Sequence, residues 1–84
     1  MRRSLKGKKV IVTGYSGYIG RHLVVELIKC EAIVFGIGRR IVELNKKIEV
    51  YSCDISDAKE VSKVIDKIQP HAIFHAAAYG VTQA

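Results

Sequence analysis

The stretch VTGYSGYIGRH, residues 12 to 22, carries three evenly spaced glycines, Gly14, Gly17 and Gly20. Residues 9–13 (KVIVT) form a short β-branched run, which is typical of a strand buried on both faces. Beyond the glycines, apolar residues recur at helical spacing, at Leu23, Val24, Leu27 and Ile28. The stretch therefore predicts a strand, a turn with few side chains, and a helix from about Gly20 to about Lys29.

The rest of the chain continues this alternation of strands and helices. Further apolar, β-rich runs predict strands at residues 32–37, 48–53 and 71–75, the last running on into AAAYG. A second helix is predicted to begin at Asp57, whose side chain can cap it in a capping-box-like pair with Glu60, and to end at Pro70. The order β-α-β-β-α-β indicates an α/β fold with a mostly parallel sheet flanked by helices.

Much of the positive charge behind the net charge of +6 lies in two segments, residues 2–9 and 39–47. No aromatic residue interleaves with the first segment, as it would on a base-stacking platform. We interpret residues 1–8 as a solvated basic leader, with a nonspecific phosphate-backbone patch as the alternative. The composition therefore disfavours a nucleic acid as the partner.

The cysteines and the hydropathy of this 84-residue, single-domain chain indicate the cellular compartment in which it functions. Cys30 and Cys53 lack CxxC spacing and a neighbouring histidine, so buried reduced thiols are expected rather than a disulfide or metal site. No apolar run approaches the roughly 18 residues of a membrane span, and the basic start lacks a small-residue cleavage site. These features indicate a cytoplasmic protein with no membrane partner.

The three glycines have different physical uses between a strand and a helix. The first permits a tight turn, the second lets the main chain approach a diphosphate, and the third lets the helix pack close to the strand. The helix then presents unpaired N–H groups and the positive end of its dipole to an anion. The stretch fits the pyrophosphate of a dinucleotide, and a tight βα turn without a ligand is the alternative interpretation.

TGYSGYIG, residues 13 to 20, resembles the TGxxGxxG fingerprint of the extended short-chain dehydrogenase/reductases, which include NAD(P)-dependent nucleotide-sugar epimerases and dehydratases. CDISD, residues 53 to 57, and IFHAAAYG, residues 73 to 80, resemble two later family segments in the same order. The resemblance implies a Rossmann-like fold and a partial NAD(P)-binding domain over residues 1–84. It also implies that the cofactor contacts Gly14, Tyr15, Ser16, Gly17, Tyr18, Ile19 and Gly20.

The two later segments imply further cofactor contacts. In the family, the acidic and apolar residues after the third strand contact the adenine, which implies that role for Asp54 and Ile55. The fourth-strand H-x-A-A pattern lines the nicotinamide half, which implies contacts from His75, Ala76, Ala77 and Ala78. From the residues alone, Asp54 could instead cap or turn the chain, and His75 could be a core histidine.

The choice between the two dinucleotides rests on the end of the second strand. NAD-preferring relatives carry an acidic residue there, but this chain has Gly38 followed by Arg39 and Arg40. Guanidinium groups pair with phosphate in bidentate fashion, so we expect NADP(H), with NAD(H) as the alternative. Arg39, nearer the strand end, is the better candidate, and a pair of surface charges is the alternative interpretation.

One residue departs from the family pattern at the connection between the first helix and the second strand. Glu31 stands where relatives usually have glycine. If that position requires a left-handed backbone, the glutamate costs about 1 kcal/mol of stability.

The family's catalytic Tyr-x-x-x-Lys pair, in which the tyrosine transfers a proton, is absent from this sequence. Four positions after the four tyrosines stand Ile19, His22, Ile55 and Gln83, and none is a lysine. We therefore expect the first part of a Rossmann-like domain, truncated after its fourth strand and inactive alone. A non-catalytic NADP(H)-binding or regulatory module is the alternative, and an open sheet edge would permit self-association.

Overall fold

A computed structural model describes residues 5–42 and 47–76 of the chain. The described strands are β1 (Lys9–Thr13), β2 (Ile33–Gly38), β3 (Glu49–Ser52) and β4 (Ala72–His75). The described helices are α1 (Tyr18–Lys29) and α2 (Ala58–Ile68). The strands form one parallel sheet in the order β3-β2-β1-β4. The structure thus confirms the predicted α/β, Rossmann-like fold and its element order.

The predicted element boundaries differ from the observed ones by at most two residues. β1 matches its prediction, whereas α1 begins at Tyr18, two residues before Gly20. β2 lies one residue later than predicted, β3 is one residue shorter at each end, and β4 begins one residue later. β4 is predicted to continue over residues 76–80, but it ends at His75, so Ala76 is not part of the strand. Residues 77–80 lie outside the described residues.

β1 is the central strand and is buried on both faces. Val10 and Val12 pack into one cluster with residues of α1, and Ile11 packs into a second cluster with Ile68 of α2. All three β1 side chains are 0 % exposed. This two-sided burial explains why the run is continuously β-branched rather than alternating with polar residues.

The predicted basic leader is attached to the fold from Leu5 onward. Leu5 packs against the core cluster on the α1 side of the sheet. The Gly7 N–H donates to the Glu31 carbonyl at 2.9 Å, and the Ile33 N–H donates to the Lys8 carbonyl at 2.8 Å. Residues 5–8 therefore brace the connection between α1 and β2, while the side chains of Lys6 and Lys8 stay exposed to solvent.

The start of α2 is capped as predicted, but its glutamate pairs differently. Asp57 Oδ1 accepts hydrogen bonds from the N–H groups of Lys59 at 3.0 Å and Glu60 at 3.4 Å. The Glu60 carboxylate accepts from the Asp54 N–H at 3.2 Å, whereas the Asp57 N–H donates to the Asp54 carbonyl. Glu60 therefore ties α2 to the loop after β3 and does not close a reciprocal capping box.

Glu31 adopts the left-handed backbone that the sequence comparison with glycine implied. Its φ is 62°, a conformation in which a Cβ is strained. Its ion pair with Lys6 joins two exposed side chains at 3.9 Å, and such pairs contribute little. The residue therefore carries a conformational cost that its side chain does not recover.

We expect Glu31→Gly to raise the free energy of unfolding by about 1 kcal/mol, because glycine adopts this backbone without strain. Urea unfolding followed by circular dichroism measures the change. The matched control is Glu31→Gln, which removes the charge but keeps the Cβ, and it should give no gain. Equal stability of the glycine and glutamine variants would contradict the role given to the backbone.

Candidate functional site

The turn between β1 and α1 is built from main chain in close contact. Gly14 has a φ of 66°, and its carbonyl accepts a hydrogen bond from the Gly17 N–H at 3.1 Å. Gly20 lies so close to the turn that a Cβ added there would stand 1.9 Å from the Gly14 carbonyl oxygen. The first and third glycines are therefore required by the fold, in the way the sequence predicted.

Gly17 is not required by the fold. Its φ of −77° and ψ of 177° are open to any residue. A Cβ at this position would meet only the Gly14 carbonyl oxygen, at an ordinary contact distance of 3.5 Å. The missing side chain at Gly17 therefore leaves open space in front of the first turn of α1.

The amino end of α1 is bare, in contrast to that of α2. Among the described residues, no side chain caps α1 and no acidic residue lies in its first turn. The N–H groups of residues 18–20 have no acceptor within the helix, and they lie at the positive end of its dipole. α2 instead has the carboxylate of Asp57 at the same place. The bare end suits an external anion.

The Tyr15 side chain lies in the core, so the expected cofactor contact can come only from its main chain. The side chain is 1 % exposed, and its ring lies against β2, where a Cβ on Gly36 would be 2.7 Å from the ring. Its hydroxyl accepts from the Val42 N–H at 2.7 Å and donates to the Arg40 carbonyl at 3.3 Å. Sequence reasoning missed this role, although a glycine inside the β-branched strand β2 signals such a close approach.

The other turn residues are more open to solvent. Ser16 is half-buried, and its carbonyl accepts a hydrogen bond from Arg21 Nε at 3.1 Å. Tyr18 is 81 % exposed and stands edge-on to the ring of His22, with 4.8 Å between centroids. Ile19 is also exposed. The side chains of Ser16, Tyr18 and Ile19 therefore leave the amino end of α1 open to solvent.

Arg39 and Asp54 lie together where β2 and β3 end. Arg39 Nε and Asp54 Oδ1 are 3.5 Å apart, and the Ser52 hydroxyl donates to the Arg39 carbonyl at 3.2 Å. Asp54 also accepts from the hydroxyl and N–H of Ser56, at 2.7 and 3.0 Å. These bonds from Ser56, aided by the charge of Arg39, lower the pKa of Asp54. Asp54 therefore does turn the chain, and it also holds the side chain of Arg39.

A cavity of about 120 Å³ lies between α2 and the sheet. Ile55 and His75 line it together with Thr13, whose Oγ1 is buried and has no hydrogen-bond partner among the described residues. His75 is exposed at the end of β4, so the core-histidine alternative is wrong. The two side chains predicted to contact opposite ends of a cofactor thus border one cavity.

A second, larger groove of about 630 Å³ lies between α1 and β4. His75 and the buried Ala76 line one side of it, and Tyr18 and Ile19 line the other. Ala77 and Ala78 lie outside the described residues. The groove therefore brings together predicted site residues from the first turn of α1 and from the end of β4.

Other classes of site find little support in residues 5–42 and 47–76. No group of three or more metal-ligating side chains occurs there, and no helix there is long and apolar enough to cross a bilayer. Cys30 and Cys53 are free thiols. Cys53 is buried as predicted, and its burial raises the pKa of the thiol, whereas Cys30 is only half-buried.

Comparison with known proteins points to one family. The model of the NAD dependent epimerase/dehydratase family matches residues 10–84. The chain is 34% identical over 82 residues to a CDP-glucose 4,6-dehydratase of Salmonella typhimurium, covering 87% of this chain and 23% of that protein. It is 35% identical over 80 residues to a UDP-glucose 4-epimerase of Lactobacillus helveticus, with coverage of 87% and 23%.

Solved structures agree with the sequence matches. The epimerase Mth375 of Methanothermobacter thermautotrophicus superposes with a TM-score of 0.74 at 30% identity, over 89% of this chain and 24% of that one. The Bordetella bronchiseptica enzyme WbmH in complex with NAD+ gives 0.70 at 28% identity, over 83% and 26%. The chain thus spans about a quarter of the length of these relatives.

Gly20 and Gly17 are expected to differ sharply in how much an added side chain changes stability. Gly20→Ala drives a Cβ into main chain and should cost about 3 kcal/mol, whereas Gly17→Ala should change the free energy of unfolding by less than about 1 kcal/mol. Thermal and urea unfolding of both variants measure the difference. A Gly17→Ala variant as unstable as Gly20→Ala would contradict the open space described at Gly17.

Proposed function

The chain belongs to the NAD dependent epimerase/dehydratase family, and we propose that its described part binds a dinucleotide, with NADP(H) preferred over NAD(H). The observation that carries this proposal is the missing side chain at Gly17, which the fold does not need. A ligand that approaches the main chain accounts for it. The proposed site runs along the carboxyl edge of the sheet.

We place the pyrophosphate at the bare end of α1. The uncapped N–H groups of residues 18–20 are directional donors, and the helix dipole favours negative charge there. Gly17 leaves room for the phosphate oxygens. α2 serves as an internal comparison, because its amino end is already satisfied by Asp57.

The preference for NADP(H) is proposed from the loop after β2. Arg39 and Arg40 are both exposed there, and no acidic residue occupies the position that would repel a 2′-phosphate. Asp54 lies nearest to Arg39 through Nε, so the terminal nitrogens of the guanidinium can face a phosphate. WbmH was solved with NAD+, so this preference rests on the side chains of this chain.

The two cavities support a proposed position for the adenine and for the nicotinamide half of the cofactor. We assign the adenine to Asp54 and Ile55, beside the smaller cavity. We assign the nicotinamide half to the larger groove, where His75 and Ala76 stand opposite the first turn of α1. Ala77 and Ala78 extend this assignment along the chain.

For the reaction, we propose that the chain supplies the cofactor-binding portion of an enzyme acting on a nucleotide sugar. The matched dehydratase and epimerase are named for CDP-glucose and UDP-glucose. None of the four tyrosines has a lysine four positions later, so the 84 residues alone should bind cofactor without turnover. The free thiols of Cys30 and Cys53 fit a reducing, cytoplasmic setting.

The same absence of Tyr-x-x-x-Lys favours a second candidate, a non-catalytic module that binds or senses NADP(H). Because neither candidate predicts turnover by the 84 residues alone, the two are distinguished by adding UDP-glucose or CDP-glucose, with NADP+, to the full gene product that contains this chain. An enzyme portion joined to its catalytic residues should change absorbance at 340 nm or convert the sugar. A sensor module should bind the cofactor and leave both sugars unchanged.

Gly17→Ala should weaken NADPH binding about tenfold or more, because the added methyl group occupies the space assigned to the pyrophosphate. Fluorescence titration of purified protein with NADPH gives the dissociation constants. Lys29→Ala is the control, since it alters an exposed side chain at the other end of α1 and should leave binding unchanged. An unchanged Kd in Gly17→Ala would remove the main support for the proposed site.

Arg39→Asp should weaken NADPH binding about tenfold or more while leaving NADH binding nearly unchanged, because the guanidinium pairs with the 2′-phosphate. Parallel titrations with the two cofactors measure the ratio. Lys63→Asp on α2 makes the same charge change elsewhere and should leave that ratio as in the wild type. Equal loss for both cofactors would refute the role given to Arg39.

A further inference from the structure

The Tyr15 hydroxyl joins two parts of the proposed site that are distant in sequence. Tyr15 belongs to the turn of residues 14–17 between β1 and α1, called the glycine turn below. Its hydroxyl bonds the main chain of residues 39–42 after β2, called the arginine loop below. It accepts from the Val42 N–H at 2.7 Å and donates to the Arg40 carbonyl at 3.3 Å. The two bonds hold the main chain on both sides of Ile41.

The ring of Tyr15 fixes where that hydroxyl lies. The side chain is 1 % exposed, and its Cγ would be 2.7 Å from a Cβ on Gly36, so the glycine in β2 makes room for the ring. A buried ring held against a strand has few alternative positions. The hydroxyl is therefore a fixed anchor point, and the loop adjusts to it.

We propose that Tyr15 is a positioning residue for 2′-phosphate recognition, an inference that rests on the proposed function of the arginine loop. Bidentate pairing of a guanidinium with phosphate requires a set geometry. The loop is held by Ser52 at the Arg39 carbonyl and by Tyr15 at Arg40 and Val42. The side chain of Tyr15 contacts no phosphate itself and acts through the loop that carries both arginines.

The Tyr15 hydroxyl therefore couples the position of the arginine loop to that of the glycine turn. The main chain of the turn approaches the pyrophosphate, and the side chain of its second residue sets the loop that faces the ribose. Selectivity for the 2′-phosphate then depends on a residue whose side chain is buried away from the ligand.

Tyr15→Phe isolates this effect, because it keeps the ring against Gly36 and removes only the hydroxyl. The probes are 2′,5′-ADP and 5′-AMP, which differ by the 2′-phosphate, and calorimetry of purified protein gives both affinities. We expect the variant to weaken 2′,5′-ADP about three- to tenfold more than 5′-AMP. Tyr51→Phe is the control, since that hydroxyl bonds the exposed Glu49 at 3.2 Å, and it should change neither affinity.

Hydrogen exchange of the Val42 amide supplies a readout that needs no ligand. Slow exchange in the wild type and faster exchange in Tyr15→Phe are expected if the hydroxyl holds the loop. Exchange in the wild type as fast as in an unstructured peptide would overturn the proposal.

The binding outcomes separate the two claims. If the wild type binds both probes and Tyr15→Phe keeps the same discrimination, or weakens both equally, the positioning role is wrong and the proposed function stands. If the wild type binds neither probe, the proposed cofactor site is wrong and the role of Tyr15 falls with it. A selective loss of 2′,5′-ADP supports both.

Discussion

The contact between Gly20 and the Gly14 carbonyl is the constraint on which the rest of the structure depends. A Cβ at Gly20 would stand 1.9 Å from that oxygen, so α1 can start where it does only because the position has no side chain. The contact sets the first turn of α1 directly over the end of β1. Since the sheet is parallel, the ends of β2, β3 and β4 lie along the same edge. This close approach and the parallel register of the sheet together bring the parts of the candidate site to one edge.

The site is held together mainly by contacts between its own loops. The Tyr15 hydroxyl bonds the arginine loop, Arg39 pairs with Asp54, and Glu60 bonds the Asp54 N–H. These contacts link the β1–α1 turn to the β2 loop, the β2 loop to the β3 loop, and the β3 loop to α2. Most of the groups involved are exposed, so each bond contributes little alone. Their value lies in fixing the relative positions of groups that meet one ligand.

Much of the fold could be predicted from sequence because its signals are local. The β-branched run of β1 and the cap at Asp57 each depend on neighbouring residues, and the structure confirms both. The sequence raised a left-handed backbone at Glu31 only as a condition, and the structure shows that the condition holds. Contacts across the sheet could not be predicted in this way, because they join residues that are distant in the sequence. The sequence marks Gly36 as unusual within a strand, but it does not say that Tyr15 fills the space.

The candidate site was predicted as a set of residues, not as a geometry. Grouping Arg39 with Asp54 required the parallel register of β2 and β3, which places Gly38 beside Ser52. The exposure of His75 could not be predicted from the sequence, because the strand β4 is too short for its pattern of apolar and polar residues to show which side chains face solvent. Glu60 was expected to pair with Asp57 at the start of α2. Its carboxylate instead accepts from the Asp54 N–H, because the loop before α2 folds back on itself.

A crystal structure of the protein with NADPH would show whether the bare first turn of α1 receives a pyrophosphate. We expect pyrophosphate oxygens at about 3 Å from the N–H groups of residues 18–20, with Gly17 directly beneath them. A cofactor bound elsewhere, with solvent or a side chain of the protein over that turn, would contradict this placement.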